Sequence, residues 1–230
     1  MRELVVKIAE FFCMYEFMMK IGNRIEKKRQ NKAFAKYGLD ALREAVMAAE
    51  ESGGRLFLAF GSLLGAYREK GFIPFDFDLD TGMMAEERTE DLYAAMLRHG
   101  FTMVRQYYIK ETGRVCEDKF NYKGVSIDIH YFYHNGNGEL FCELCLPHES
   151  KPWREANKTD GFPALVRTLC DSPLSQHDFL GVPVFLPDRT EDWLRTLYGP
   201  DFMTPNPKWS MDDHKKRSVI SEERMYRRSC

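Results

Sequence analysis

Phe60-Gly61-Ser62-Leu63-Leu64-Gly65-Ala66-Tyr67-Arg68-Glu69-Lys70-Gly71-Phe72-Ile73-Pro74-Phe75-Asp76-Phe77-Asp78-Leu79-Asp80 is the stretch from which the rest of the chain can be placed. It grows out of an apolar run, Leu56-Phe57-Leu58-Ala59-Phe60, which passes into Gly-Ser and then into good helix formers, so it reads strand, tight turn, helix. A strand that turns straight into a helix points free backbone N–H groups outward, an arrangement suited to phosphate. Gly71 and Pro74 end that helix. Beyond them Phe75, Phe77 and Leu79 alternate with Asp76, Asp78 and Asp80. On a strand this period sets three carboxylates on one face, alternate residues lying about 6.6 Å apart, whereas a helix would scatter them.

Like charges on one face repel unless something positive sits among them, and closely spaced Asp oxygens suit a hard divalent cation such as Mg²⁺, with Mn²⁺ as a substitute. Such a site would carry out metal-assisted phosphoryl transfer, with Gly61 and Ser62 on phosphate and the Asp residues on metal. Alternation alone would equally describe the solvated face of a half-buried strand. The Gly-Ser turn just upstream tips the reading towards a site, because a phosphate device and a metal device coincide.

The run resembles the core of the LicD family, which includes fukutin and fukutin-related protein and belongs to the nucleotidyltransferase-fold superfamily. The resemblance rests on Gly61-Ser62-Leu63-Leu64-Gly65, Arg68, Ile73-Pro74-Phe75 and the alternating Asp76, Asp78 and Asp80. Phe75 stands where Trp is more usual, and Glu69 where His often follows the Arg. The resemblance implies an α+β fold, a nucleotidyltransferase-like mixed sheet flanked by helices. It also implies transfer of a phosphoalcohol, such as phosphocholine or ribitol phosphate, from a CDP-activated donor to a hydroxyl of a glycan or lipid-linked saccharide, with release of CMP. A nucleotidyltransferase moving NMP from an NTP fits the Asp residues equally, and a non-catalytic binding protein of the same fold is a further alternative.

The chain has 230 residues, enough for one well-packed domain with appendages. Its formal net charge of −2 argues against a general or specific nucleic-acid binder. Basic residues cluster from Arg24 to Lys36, at Lys215-Lys216-Arg217 and at Arg227-Arg228, leaving a surface for an anionic lipid or glycan. Six scattered cysteines lack the density of a disulfide scaffold and fit reduced thiols. The N-terminal apolar stretch is interrupted by Lys7, Glu10, Glu16 and Lys20, so it reads as neither secretory signal nor membrane span. The expectation is a cytoplasmic protein, peripheral at the inner face of a membrane if the basic segment docks there.

Residues 1–38 are expected to form an amphipathic and basic helical appendage. Leu4, Ile8, Phe11, Phe12, Tyr15, Met18 and Met19 recur at helical spacing, with a stop at Gly22-Asn23. That face suits a membrane surface, the protein core or a second subunit. Residues 39–210 are expected to form the catalytic domain, opening with a helix capped by Asp40, and residues 211–230 a polar, basic tail. Thr89 to His99 reads as a helix, followed by strands around Phe101–Lys110, Val115–Tyr122, Val125–Tyr133 and Leu140–Leu146; Lys151 to Asp171 reads as loop. Phe179 to Pro187, the Thr190 to Leu197 helix and Leu197 to Pro205 resemble the family's closing segment, which has a short strand, an acidic helix start and a Tyr-Gly turn before an aromatic and a Pro.

In Val125–Tyr131, Ser126, Asp128 and His130 share the polar face. If that strand lies beside the Asp run, Asp128 joins the acidic face as ligand or as base for the attacking hydroxyl. In the superfamily a carboxylate on a neighbouring strand completes the site, and Asp128 resembles it. The resemblance and the chemistry together give Asp76, Asp78, Asp80 and Asp128 as catalytic and metal-binding residues, and Gly61, Ser62 and Arg68 as substrate-binding. Cys142, Cys145 and His148 have zinc-like spacing but lack a second Cys pair, and the apolar run around them reads as core.

Overall fold

The computed structural model describes residues 2–74, 76–146, 152–206 and 209–229, with side chains described from 26 onward apart from Met211. The chain opens with one helix, α1 (Arg2–Glu51). The stop expected at Gly22-Asn23 and the new start at Asp40 are both absent. A glycine inside a helix costs only about 1 kcal/mol, and Asp40 pairs with Arg43 one turn on instead of capping. Ala41, Leu42, Ala45, Val46, Ala48 and Ala49 are buried and dock the end of α1 on the sheet. The amphipathic face predicted over Leu4–Met19 lies outside the described side chains.

β1 (Phe57–Leu58) passes through Phe60, whose φ is +41°, into α2 (Phe60–Leu64), which continues as a π-helical turn over Gly65–Glu69. β2 spans Asp78–Met84, so the Asp run is only partly strand: Asp78 and Asp80 lie in β2, and Asp76 precedes it. α3 (Asp91–Arg98), β3 (Thr102–Ile109), β4 (Val115–Tyr122), β5 (Val125–His134) and β6 (Glu139–Cys145) match their predictions closely. The segment expected as loop holds α4 (Trp153–Lys158) and β7 (Phe162–Cys170). β8 (Leu174–Phe179) and β9 (Val182–Pro187) form a hairpin before α5 (Thr190–Tyr198). The expected tail is α6 (Met211–Lys216) and β10 (Val219–Arg228).

These strands form one mixed sheet in the order β4-β3-β10-β7-β6-β5-β2-β1-β9-β8. β4 also pairs with β5, so β3, β4, β5, β6, β7 and β10 close into a ring from which β2, β1, β9 and β8 extend. β10 completes the ring between β3 and β7, where Met225 is fully buried. Its register on β7 shifts between Ile220 and Arg224, so Ser221, Glu222 and Glu223 form an irregularity that carries no strand pattern.

The decisive pairing is β2 with β5, parallel and in register from Asp78↔Ser126 to Met84↔Phe132. Packing beneath it is tight. A Cβ on Gly82 would fall 2.2 Å from the Phe57 ring and 2.8 Å from the Phe132 ring, so only glycine lets these aromatics meet behind the site. Among the described residues no helix is long and apolar enough to cross a membrane.

Candidate active site

Register alone sets a row of charges across four strands. Asp80 of β2 is paired with Asp128 of β5, Asp128 with Lys119 of β4, and Lys119 with Arg105 of β3. One step along, Gly82, His130, Glu117 and Tyr107 form the next row. Paired residues on neighbouring strands share a face, so two acids, two bases, a histidine and a further acid meet on one surface. Asp128 therefore does lie beside Asp80.

That surface floors a cleft of about 1090 Å³. Asp76, Asp80, Asp128, Glu117, His130 and Arg105 line one side. Arg68, Tyr198, Trp209, His214 and Arg217 line the same cleft.

Asp76 and Asp78 hydrogen-bond one another, and Asp76 also accepts the Phe77 amide at 3.0 Å. Burial pushes the Asp78 carboxyl up to about 8, with the charges of Asp80 and Asp76 adding to it. Asp76 is raised as well, again chiefly by burial. Asp128 rises to about 6 through burial and Glu117, against the pull of Lys119, His130 and Arg105. The cluster thus carries more negative charge than its protein surroundings neutralise.

Gly61 and Ser62 are engaged by this cluster. The Gly61 amide donates to Asp80 Oδ2 at 2.9 Å, and the buried Ser62 hydroxyl accepts the Asp80 amide at 2.9 Å. The turn expected to meet phosphate therefore orients Asp80 in this structure. A Cβ on Gly61 would sit 2.9 Å from Asp80 Oδ2 and 3.4 Å from Asp76 Oδ2, so glycine leaves the space beside those oxygens open. The Arg68 guanidinium donates to the Phe202 carbonyl at 3.0 Å and to Glu69 at 2.7 Å, which ties the helical turn to the segment after α5.

Lys119, Arg105 and Glu117 escape the sequence reading, which puts His130 on the polar face without a role. Lys119 Nζ donates to Asp128 Oδ2 at 2.8 Å, and Arg105 donates to Glu117 Oε1 at 2.9 Å. His130 Nε2 stands 3.9 Å from Asp80 Oδ1, its ring edge-on to Phe60. Trp209, at the end of the expected catalytic domain, lies against Tyr198 with ring centroids 5.0 Å apart, and the expected polar, basic tail supplies His214 and Arg217. Burial and the neighbouring Arg167 push His214 down to about 4, so this imidazole is neutral at pH 7. Alternation within 115–122 could have flagged Lys119. Nothing local marks Trp209 or His214, and Arg217 stands out only within the basic cluster Lys215-Lys216-Arg217.

Cys142 and Cys145 lie three apart on β6 and so face opposite sides of it, with Cys142 in the core and Cys145 in the cleft beside Tyr107. His148, the third member of that spacing, lies outside the described residues, as does Phe75. Trp153 sits under the Arg227 guanidinium, 4.4 Å from it, and serves packing at the far end of the ring.

The family model described as LicD/FKTN/FKRP, nucleotidyltransferase domain, matches residues 53–189, more than half of the chain. The chain belongs to this family. Its LicD domain therefore contains Gly61, Ser62, Arg68, all three Asp residues of the run, Asp128 and the row to Arg105, whereas α6 and β10 lie beyond the match. Curated relatives include ribitol-5-phosphate transferase FKTN of Mus musculus, 24% identical over 180 residues. The Homo sapiens protein of that name is 24% identical over 185 residues. These matches take in 76% and 77% of this LicD-family chain and 35% of each relative, so the chain spans about a third of their length. Among solved structures, the antibiotic-resistance factor ANT(2'')-Ia aligns with a TM-score of 0.42 at 14% identity, over 79% of this chain and 80% of that one.

Proposed function

We propose that this LicD-family protein is a metal-dependent phosphotransferase that moves a phosphoalcohol from a CDP-activated donor to a hydroxyl of a glycan or its lipid-linked precursor, releasing CMP. The observation that carries the reading is the register of β2 on β5, which joins Asp128 to the Asp run in a cleft also lined by Arg68 and Arg217. The family resemblance and the FKTN relatives supply the substrate class.

The residues suit Mg²⁺. The donor set is all oxygen, and the space beside Gly61 is open between two carboxylates. Among the described residues no three His, Cys, Asp or Glu side chains are grouped to hold an ion as they stand. Asp76, Asp78 and Asp80 would hold the cation, which would neutralise charge on the diphosphate.

In the reaction the acceptor oxygen attacks the phosphorus that bears the alcohol, the bond from that phosphorus to the oxygen of CMP breaks, and CMP leaves with the electron pair. Asp128, held by Lys119 through Oδ2, accepts the acceptor's proton. Arg68 and Arg217 offset the charge that grows on CMP. The Tyr198–Trp209 pair offers a ring surface for the base. Lys27, Lys28, Arg29, Lys32 and Lys36 are exposed on α1, and Lys27 lies over Phe77, 5.4 Å from its centroid. This basic segment would bring the cleft to an anionic membrane surface that carries the acceptor.

The test is CMP release from CDP-choline, CDP-ethanolamine, CDP-glycerol and CDP-ribitol with Mg²⁺ and candidate glycans, beside Asp78→Asn. Release that needs both Mg²⁺ and Asp78 supports the reading. Consumption of an NTP with pyrophosphate release, and no reaction of any CDP-alcohol, replaces it with nucleotidyl transfer.

A further inference from the structure

Beyond the Asp run, the floor of the cleft holds polar atoms that the fold leaves unsatisfied. Asp128 Oδ1 and His130 Nδ1 have no hydrogen-bond partner although these residues are only 7% and 6% exposed, and Arg105 Nε is also buried without one. All three residues line the same cleft, with Glu117 and Tyr107 beside them. A buried polar group left unpaired is destabilising, and native proteins carry few of them. Three along two adjacent rows point to a ligand that completes them.

The pattern states what that ligand offers. Donors and acceptors interleave: Arg105 holds Glu117 Oε1 at 2.9 Å and stands 3.9 Å from Asp128 Oδ1, while Lys119 holds Asp128 Oδ2 at 2.8 Å. A hydroxyl both donates and accepts, so neighbouring hydroxyls can satisfy Asp128 Oδ1 and Arg105 Nε together, and His130 Nδ1 in either tautomer. Tyr107 lies under the Arg105 guanidinium, 5.2 Å from ring centroid to carbon, and adds an apolar surface for a C–H face. A trimethylammonium group offers neither donor nor acceptor, and it would face the like charges of Arg105 and Lys119.

We infer that Arg105, Glu117, Asp128 and His130, with Tyr107, form a subsite for vicinal hydroxyls. Those hydroxyls belong either to the alcohol of the activated donor or to the sugar that receives it. The inference rests on the phosphotransferase reading and deepens it, because it makes the group beside the carboxylates a polyol rather than a quaternary ammonium alcohol.

Calorimetric titration in Mg²⁺ with CMP, CDP-choline, CDP-ribitol and free ribitol tests it, on the wild-type chain, Glu117→Gln and Arg105→Met. Wild-type binding of CDP-ribitol at least tenfold tighter than CDP-choline, with the ratio falling towards one in both variants and CMP affinity unchanged, places the donor's alcohol in the subsite. Equal binding of the two donors, with free ribitol bound by the CMP-loaded wild type but not by the variants, places the acceptor there. CMP binding without either polyol effect overturns the inference and leaves the transferase reading standing, as does tighter binding of CDP-choline. Ribitol bound by wild type but not by the variants, with no binding of CMP or any CDP-alcohol, keeps the subsite and removes the transferase reading. A chain that binds none of them loses both. The wild-type comparison needs no variant, and thermal melts show whether each variant is folded.

Discussion

Adjacent residues of β4, Glu117 and Asp118, serve two faces of the same sheet in opposite ways. Asp118 is 2% exposed and fully served: Gln106 Nε2 donates at 2.8 Å, the Tyr131 hydroxyl at 2.7 Å, and the Arg88 guanidinium stands at 3.4 Å. Glu117 faces the cleft, where Asp128, His130 and Arg105 each keep an unpaired atom and Asp78 holds its proton up to about 8. Both faces bury charge, but only one completes it. A completed cluster supports the fold, and an incomplete one is held ready for a ligand.

The comparison breaks most sharply if substitutions on the two faces have the same effect. Asp78→Asn or Asp80→Asn should lower kcat by about 10²–10³-fold, with the melting temperature of the metal-free protein unchanged or raised because repulsion is relieved. Asp118→Asn should do the reverse, costing about 2 kcal/mol of stability in urea denaturation, since Arg88, Gln106 and Tyr131 lose a charged acceptor, while turnover per folded molecule stays near wild type. An Asp118→Asn chain that melts normally, or an Asp78→Asn chain that unfolds, would erase the distinction.

Gly61→Ala is smaller and sharper. Its Cβ would crowd Asp80 Oδ2 at 2.9 Å, so kcat should fall about tenfold for a stability change of about 1 kcal/mol. Steady-state kinetics beside a thermal melt would read both.

Proton linkage gives a graded version of the same contrast. The folded-state pKa of Asp78 is raised, so the stability linked to its proton is present at pH 4 and lost as pH rises through about 8. Mg²⁺ must displace that proton. Its affinity should climb with pH by at most about tenfold per unit up to about pH 8 and then level, as titration calorimetry would show. The melting temperature gained on adding Mg²⁺ should be greater at pH 8 than at pH 6. A flat profile would mean that Asp78 takes no part in binding.

Much of the site was legible locally. Strand, turn and helix around Gly61-Ser62 and the alternation of Asp78 with Leu79 and Asp80 are short-range patterns, and Asp128 stood out because Val125, Ile127, Ile129 and Tyr131 alternate around it. The pattern overreached at Asp76, which lies before the strand. It also failed at Lys151–Asp171, where Arg167 interrupts the apolar alternation of β7 and is nonetheless fully buried, donating to the Arg217 carbonyl and bonding His214 Nδ1 at 3.0 Å. The break expected in α1 failed for another reason: weak local stop signals lose to a helix whose far end is docked on the sheet.

What the sequence determined by itself is the chemistry on offer: a Gly-Ser turn, an acidic strand and a second acidic strand, each written in residues within a few positions of one another. Only the tertiary structure decided which acids meet, because register across β2, β5, β4 and β3 sets Asp80, Asp128, Lys119 and Arg105 in one row although they come from distant parts of the chain. It alone also brought Trp209, His214 and Arg217 to the cleft, where β10 pairs with β3 and β7. Side-chain periodicity reports which face a residue takes on its own strand, whereas its neighbours across the sheet depend on the free energy of the whole packed ring.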